Sequence, residues 1–287
     1  MLPILAEFGF GDATITLRAY STFLALAAVI ALALAAHGAT HLGVPRGRAL
    51  AGYALAILAG LAGARLLDVV LNWGPYAEDP GRIVAFAARG FALFGGLAAG
   101  LLVALALARA WRVSAWALAD SAIPAVAAGI VLLRVGCFLN GCCAGTPTDL
   151  PWGISFPSRG LGLEVLLLED TGLFGLSGVS DASAPVHPTQ LYEAGAALVC
   201  CALALLLRRG ASPGTAALAF VAGFALFRAA NQLLRPAAPT ASVPEWVLPV
   251  VYLGTGVVIV CLLLWRWREG TAAPASPRTA VGAAPAD

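Results

Sequence analysis

Seven apolar runs, each long enough to cross a bilayer, are spaced along this chain at roughly 18–37, 49–71, 91–110, 114–134, 188–207, 213–234 and 247–265. A spanning helix needs about 20 predominantly apolar residues. In hydrocarbon, each backbone amide must find its partner inside its own segment, so a run of this kind is read as a helix. The composition agrees. Of 287 residues, 60% are hydrophobic and 11% charged, whereas a soluble domain carries about 25% charged residues. Charges are too few to coat a water-exposed surface of this size, but lipid can cover the sides of a membrane protein. The fold class expected is therefore an all-α polytopic membrane protein with about seven transmembrane helices. A net charge of +2 gives no reason to expect a nucleic-acid partner.

Loop charges set the expected orientation. Arg46 and Arg48, Arg109 and Arg112, Arg208 and Arg209, and Arg266 and Arg268 fall in alternate connections. They share one side, which the positive-inside rule assigns to the cytoplasm. The other side collects Glu7, Asp12, Glu78, Asp79, Asp149, Glu164, Glu169, Asp170, Asp181 and Glu245. The N-terminus is then outside and the C-terminus inside. Acidic residues precede the first apolar run, so no cleavable signal is expected. One connection, 141–186, is too long for a turn and is read as a small outward-facing head. Residues 1–268 form the transmembrane domain, and the Ala/Pro-rich stretch 269–287 is expected to be a disordered cytoplasmic tail.

Ionisable residues inside apolar runs are costly, and so they mark function or pairing. Arg134 closes the fourth run and opens the segment Arg134-Val-Gly-Cys-Phe-Leu-Asn140-Gly-Cys-Cys-Ala-Gly145. Gly136, Gly141 and Gly145 permit tight turns and close backbone approach, and an arginine beside exposed amides suits a phosphate. The competing reading is an arginine that snorkels to the interface. Arg228 and Arg235 lie seven apart on one face of the sixth run, and there the competing reading is an ion pair with Asp68 or Glu193. His187-Pro-Thr-Gln190-Leu-Tyr192-Glu193 opens the fifth run. Pro188 suits a first helical turn, yet a simple capped start leaves Gln190 and Glu193 unexplained. Arg65 and Asp68 share a helix face in the second run, where an ionisable pair should turn inward. Tyr20 stands either in the site or in an aromatic belt. Gly95 and Gly96 serve either the site or close helix packing.

Six cysteines are present, and Cys137, Cys142 and Cys143 cluster in the Arg134 segment. In an outward-facing loop a bond from Cys137 to Cys142 or Cys143 is possible, and so are buried thiols or a redox thiol. Zinc is the less expected reading, because His187 alone is available as a fourth nitrogen or sulfur ligand. No metal and no cofactor are expected.

Together these motifs resemble the prolipoprotein diacylglyceryl transferase family, over about Tyr20 to Arg268. The family signature Arg-Ile-Gly-Asn-Phe-Ile-Asn-Gly-Glu-x-x-Gly is similar at Arg134, Gly136, Phe138, Asn140, Gly141 and Gly145. The family's His-Pro-Ser-Gln-Leu-Tyr-Glu matches His187 to Glu193 with Ser changed to Thr. Its Phe-Arg-x-x-x-Glu-x-x-Arg matches Phe227 to Arg235, and its Gly-Ala-Arg matches Gly63 to Arg65. The resemblance implies transfer of a diacylglyceryl group from phosphatidylglycerol to the lipobox cysteine thiol of a prolipoprotein, with release of glycerol phosphate. It implies a bacterial inner-membrane location, and partners that are the lipid, the prolipoprotein signal peptide and the bilayer. A monomer is expected. Arg134, Arg228, Asn140, Tyr20 and His187 are then the candidate catalytic residues. Arg134, Arg228, Arg235, Gly145, Gly95, Gly96, Gln190, Glu193 and Arg65 are the candidate lipid-binding residues.

The sequence departs from the family at three ionisable positions: Cys142 and Gln232 stand where the family has Glu, and Phe94 where it has His. Phe224 also replaces a Tyr. The cationic residues that suit an anionic donor are kept. Loss of a general base costs roughly 10²–10⁴-fold, unless His187 or Cys142 substitutes. Three further readings stay open: the same donor with another acceptor, a thiol-redox membrane protein working through the three cysteines, and a lipid-binding relative without turnover.

Overall fold

The computed structural model describes residues 4–10, 13–84, 92–156, 184–209, 211–235 and 246–272. Strands β1 (Ile4–Phe10) and β2 (Ala13–Arg18) form an antiparallel hairpin that runs directly into α1 (Ala19–Thr40). There follow α2 (Arg46–Leu71), the short α3 (Trp73–Glu78), a 3-10 turn (Pro80–Ile83), α4 (Leu93–Ala110), α5 (Ala115–Asn140), α6 (Thr189–Leu207), α7 (Thr215–Gln232) and α8 (Val247–Ala272). The seven longer helices fall on the seven apolar runs. Five of them, α1, α2, α5, α6 and α8, are long and apolar enough to cross a membrane, and α4 is a shorter apolar helix. The protein is thus an all-α polytopic membrane protein whose one described sheet is the N-terminal hairpin.

Burial runs opposite to that of a water-soluble core. The buried apolar residues are mostly alanines, such as Ala36, Ala39, Ala49, Ala197, Ala204 and Ala216. Large residues such as Val29, Leu58, Leu66, Leu102 and Val258 are exposed. With lipid outside, helices associate through close packing of small residues rather than by hiding large ones. Helix α1 packs along α5, α2 along α4, and α8 along α7, while α6 lies between α5 and α7. A Cβ on Gly63 would lie 2.6 Å from the carbonyl oxygen of Gly95, so α2 and α4 cross with their backbones nearly touching. A Cβ on Gly136 would lie 2.7 Å from that of Phe23, which sets the α1–α5 approach.

A cap on α5 and a tie from α5 to α7 order the starts of these two helices. Ser114 caps α5, its hydroxyl accepting from the Ala117 amide. Farther along, the buried Asp120 carboxylate accepts from the backbone amides of Gly214 (2.7 Å) and Ala217 (2.8 Å). An acid on another helix thereby satisfies donors that the start of α7 would leave orphaned.

Two expectations are corrected, and one element is additional. Helix α5 does not stop at Arg134 but runs to Asn140, where Gly141 (φ 78°) supplies the left-handed cap. Arg134, Gly136 and Cys137 are therefore helical. Helix α8 continues past Glu269 to Ala272, before Pro274 can interrupt it. The N-terminal hairpin was not expected at all. Residues 157–183 of the expected head and 273–287 of the expected tail lie outside the described residues. The described ends of the head meet through backbone bridges from Val186 to Pro147 and to Ile154.

Candidate functional site

The C-terminal ends of α5 and α7 and the N-terminal end of α6 lie at one end of the bundle, and their polar residues converge on Glu193. This carboxylate is 1% exposed. Its Oε2 pairs with Arg134 Nε at 2.6 Å. Its Oε1 takes Arg228 Nη1, Asn231 Nδ2 at 2.9 Å and, more distantly, Arg235 Nη1 at 3.7 Å. Three guanidiniums thus share one carboxylate, leaving two positive charges uncompensated among these groups. The spacing makes this possible. Arg228 and Asn231 lie three apart on one face of α7, and Arg235 follows in the turn that ends the helix. Arg228 also lies over the ring of Tyr252 from α8, 5.5 Å from its centroid.

The segment after Gly141 is stitched to α6 and to the end of α7. Gln190 Nε2 donates to the Cys142 carbonyl at 2.6 Å, and Thr189 Oγ1 to that of Cys143 at 2.7 Å. Arg235 Nη2 reaches the Cys143 carbonyl at 3.4 Å. The Gly145 amide donates to His187 O and the Thr146 amide to Leu234 O, both at 2.8 Å. No side chain fits at Gly145: a Cβ there would lie 2.7 Å from both His187 Cβ and the Leu234 carbonyl oxygen. The side-chain oxygens Oε1 of Gln190, Oδ1 of Asn231 and Oε1 of Gln232 are buried without a hydrogen-bond donor. Such acceptors suit a hydroxyl-bearing ligand.

Cys137, Cys142 and Cys143 are free thiols whose sulfurs lie within 4.8 Å of one another, so the possible disulfide is not formed. Arg134 Nη1 stands 4.0 Å from Cys137 Sγ. Hydrogen bonds from Cys137 and Cys142, then the charges of Arg235 and Arg134, hold the Cys143 thiol well below the usual range. Hydrogen bonding to Cys137 and Cys143, then burial, pushes Cys142 well above it. Tyr20, at the start of α1, is within electrostatic reach of all three thiols and of Arg134. Asn140 is the last residue of α5.

Other sequence candidates lie elsewhere. His187 Nδ1 is 3.4 Å from Tyr192 Oη, which accepts from Trp152 Nε1 at 2.7 Å. Gly95 and Gly96 lie in the α2–α4 crossing. Arg65 donates to the carbonyls of Ile83 and Arg82 and covers the Tyr76 ring. Asp68 accepts from Tyr76 Oη (2.5 Å) and Asn72 Nδ2 (3.0 Å). Of the two ion-pair partners considered for Arg228, the structure selects Glu193. Asn231 and Thr189 were absent from the sequence candidates. Asn231 had a signal, an amide one helical turn from Arg228, and so did Thr189, a hydroxyl inside the His187–Glu193 motif that is buried at 0% exposure.

A family model described as prolipoprotein diacylglyceryl transferase matches residues 7–267. Curated relatives include a phosphatidylglycerol–prolipoprotein diacylglyceryl transferase from Trichormus variabilis, 33% identical over 54% of this chain and 54% of its own length. One of the same name from Synechococcus elongatus is 30% identical over 72% of this chain and 65% of its own length. Another, from Parasynechococcus marenigrum, is 31% identical over 79% of this chain and 77% of its own. The chain spans about half the length of the Trichormus relative, and of one of the same name from Nostoc sp., to which it is 33% identical.

Proposed function

This chain belongs to the prolipoprotein diacylglyceryl transferase family, and from that premise we propose that it moves a diacylglyceryl group from phosphatidylglycerol to the thiol of a prolipoprotein lipobox cysteine. The observation that carries the reading is the convergence of Arg134, Arg228 and Arg235 on the single carboxylate of Glu193. A guanidinium has five N–H donors, and Glu193 occupies only part of each set. The donors left over suit the phosphate of an anionic lipid. The unpartnered amide oxygens of Gln190, Asn231 and Gln232 suit the hydroxyls of its glycerol headgroup.

In the proposed reaction the acceptor sulfur attacks the glyceryl carbon bonded to the phosphate oxygen. The S–C bond forms, the C–O bond breaks, and glycerol phosphate leaves with the electron pair. The thiol proton passes to solvent or to the departing phosphate. Charge grows on the phosphate oxygen as the bond breaks, and prearranged arginine donors stabilise that charge more than the ground state. Tyr20 and Asn140 orient the headgroup. The enzyme sits in the inner membrane as a monomer, with the N-terminus and the arginine cluster on the outer side, in keeping with the arginines at the opposite helix ends.

The test is transfer to a lipobox peptide from phosphatidylglycerol vesicles, followed by mass spectrometry. Wild type transfers, and Arg134→Ala loses at least ~10²-fold while still binding the peptide. No transfer by the wild type, with a family member active in parallel, overturns the reading.

A further inference from the structure

Cys137, Cys142 and Cys143 stand beside the arginine cluster, and the proposed transfer gives them no task. Cys137 comes from the last turn of α5, and the other two from the segment past Gly141. The carbonyls of Cys142 and Cys143 are held by Gln190 and Thr189, so the backbone carrying their sulfurs is anchored. Cys143 has φ 65°, a left-handed conformation that a side-chain-bearing residue adopts at a cost. The local fold tolerates that cost and brings three sulfurs to one point.

We propose that Cys137, Cys142 and Cys143 form a three-coordinate site for a soft monovalent cation of the Cu(I) class. A metal–sulfur bond of about 2.3 Å sets the sulfurs of a planar three-fold site about 4.0 Å apart, which the mutual separation of at most 4.8 Å approaches with small side-chain rotations. A disulfide needs about 2.05 Å, serves two sulfurs and strands the third. Thiolate ligands select soft cations. Zinc in a closed protein site takes four ligands, and no fourth His, Cys, Asp or Glu joins the group among the described residues. The His187 ring is turned to Tyr192 instead.

Charge points the same way. Three arginines against Glu193 leave a surplus of two positive charges, and Cu(I) with three thiolates carries two negative ones. Arg134 Nη1 already stands 4.0 Å from Cys137 Sγ, and Arg235 reaches the Cys143 carbonyl. Binding releases to solvent whatever protons the thiols still carry, with no change of oxidation state at sulfur or metal. The bound cation clips the end of α5 to the segment that α6 and α7 hold, and so stiffens the wall of the arginine cluster.

The site is read by binding alone, so it stands or falls independently of the transferase assignment. Full-length protein is purified in detergent, reduced and titrated anaerobically with Cu(I), and separately with Ag(I) as an air-stable probe of the same class. Metal content after gel filtration and thiolate-to-metal charge-transfer absorption are the readouts. One equivalent per chain is expected to be retained. Cys137→Ser, Cys142→Ser and Cys143→Ser should each lose it, whereas Cys261→Ser keeps it. In the wild type, bound metal should protect these three thiols from iodoacetamide, mapped by peptide mass spectrometry, which does not depend on any variant folding. Failure of the wild type to retain the metal, undiminished uptake by Cys142→Ser, or a disulfide among the three in protein isolated without reductant would each overturn the proposal. Preferential retention of Zn(II) would overturn the three-coordinate assignment.

Discussion

Replacing Glu193 with Gln removes the one negative charge from the arginine cluster while keeping its shape. In the native site Oε2 accepts from Arg134 Nε at 2.6 Å, and Oε1 accepts from Arg228 and from Asn231 at 2.9 Å. A glutamine has one oxygen and one NH₂ group. If the oxygen stays towards Arg228, the NH₂ faces the Arg134 donor; if it is flipped, it faces Arg228 and Asn231. Either way one charge-assisted hydrogen bond, worth about 1.5–3 kcal/mol, becomes a clash of donors. The three arginines also lose their shared counter-charge in a site where Glu193 is 1% exposed. Breaking a buried ion pair from one side costs about 3–5 kcal/mol. At about 2–4 °C per kcal/mol for a chain of this size, the melting temperature should fall by roughly 6–20 °C. Thermal unfolding in detergent, followed by circular dichroism, measures it. Phosphatidylglycerol should recover part of the loss, because its phosphate restores a negative charge, and zwitterionic lipid should not. A melting temperature within two or three degrees of the wild type (about 1 kcal/mol or less) would refute the claim that Glu193 organises the arginines.

Three other outcomes are expected. With the oxygens of Glu193 occupied and Cys142 and Gln232 at the family's acid positions, the acceptor thiol ionises by itself; initial transfer rates should rise about tenfold per pH unit below about pH 8.5 and flatten above it, and a rate independent of pH between 6 and 8 would contradict this. Asp120→Ala should cost about 1–3 kcal/mol by stranding the Gly214 and Ala217 amides, seen as a lower melting temperature with little change in lipid binding. Gly145→Ala should cost about 1–3 kcal/mol and weaken phosphatidylglycerol retention, because the new methyl meets the Leu234 carbonyl and displaces the segment beside Arg235; unchanged retention would count against it.

Helix positions were legible because a membrane asks for one simple thing, an uninterrupted apolar run, and the seven runs became the seven longer helices. Their ends were less so. Arg134 looks like a boundary on hydropathy alone, yet it begins the last two turns of α5, since a buried counter-charge on α6 removes the cost of carrying it inward. The hairpin before α1 is too short and too mixed in pattern to stand out. Within the site, Arg134, Arg228 and Glu193 could be named from the sequence. That they form one cluster could not, because their contacts join three helices, the Arg228–Glu193 pair alone spanning 35 positions of chain. Asp120 carried a signal, a carboxylate inside an apolar run, but its partners are backbone amides of α7, and backbone amides leave no mark in a sequence.

Arg228 first presented two incompatible readings, a phosphate ligand or one half of an ion pair. The structure shows the ion pair, and the proposed phosphate contact is compatible with it. An isolated guanidinium near lipid would turn to the nearest carbonyl or to the interface, and three close together would repel one another. Glu193 prevents both by fixing Arg134 Nε on one oxygen and Arg228 on the other. It fixes them without exhausting them, because a carboxylate has room for only some of the donors that three guanidiniums offer. The remaining donors are thereby oriented before any ligand arrives. In the proposed transfer, an anionic headgroup would meet a site whose organising energy already belongs to the fold, because a single buried carboxylate holds the three arginines together.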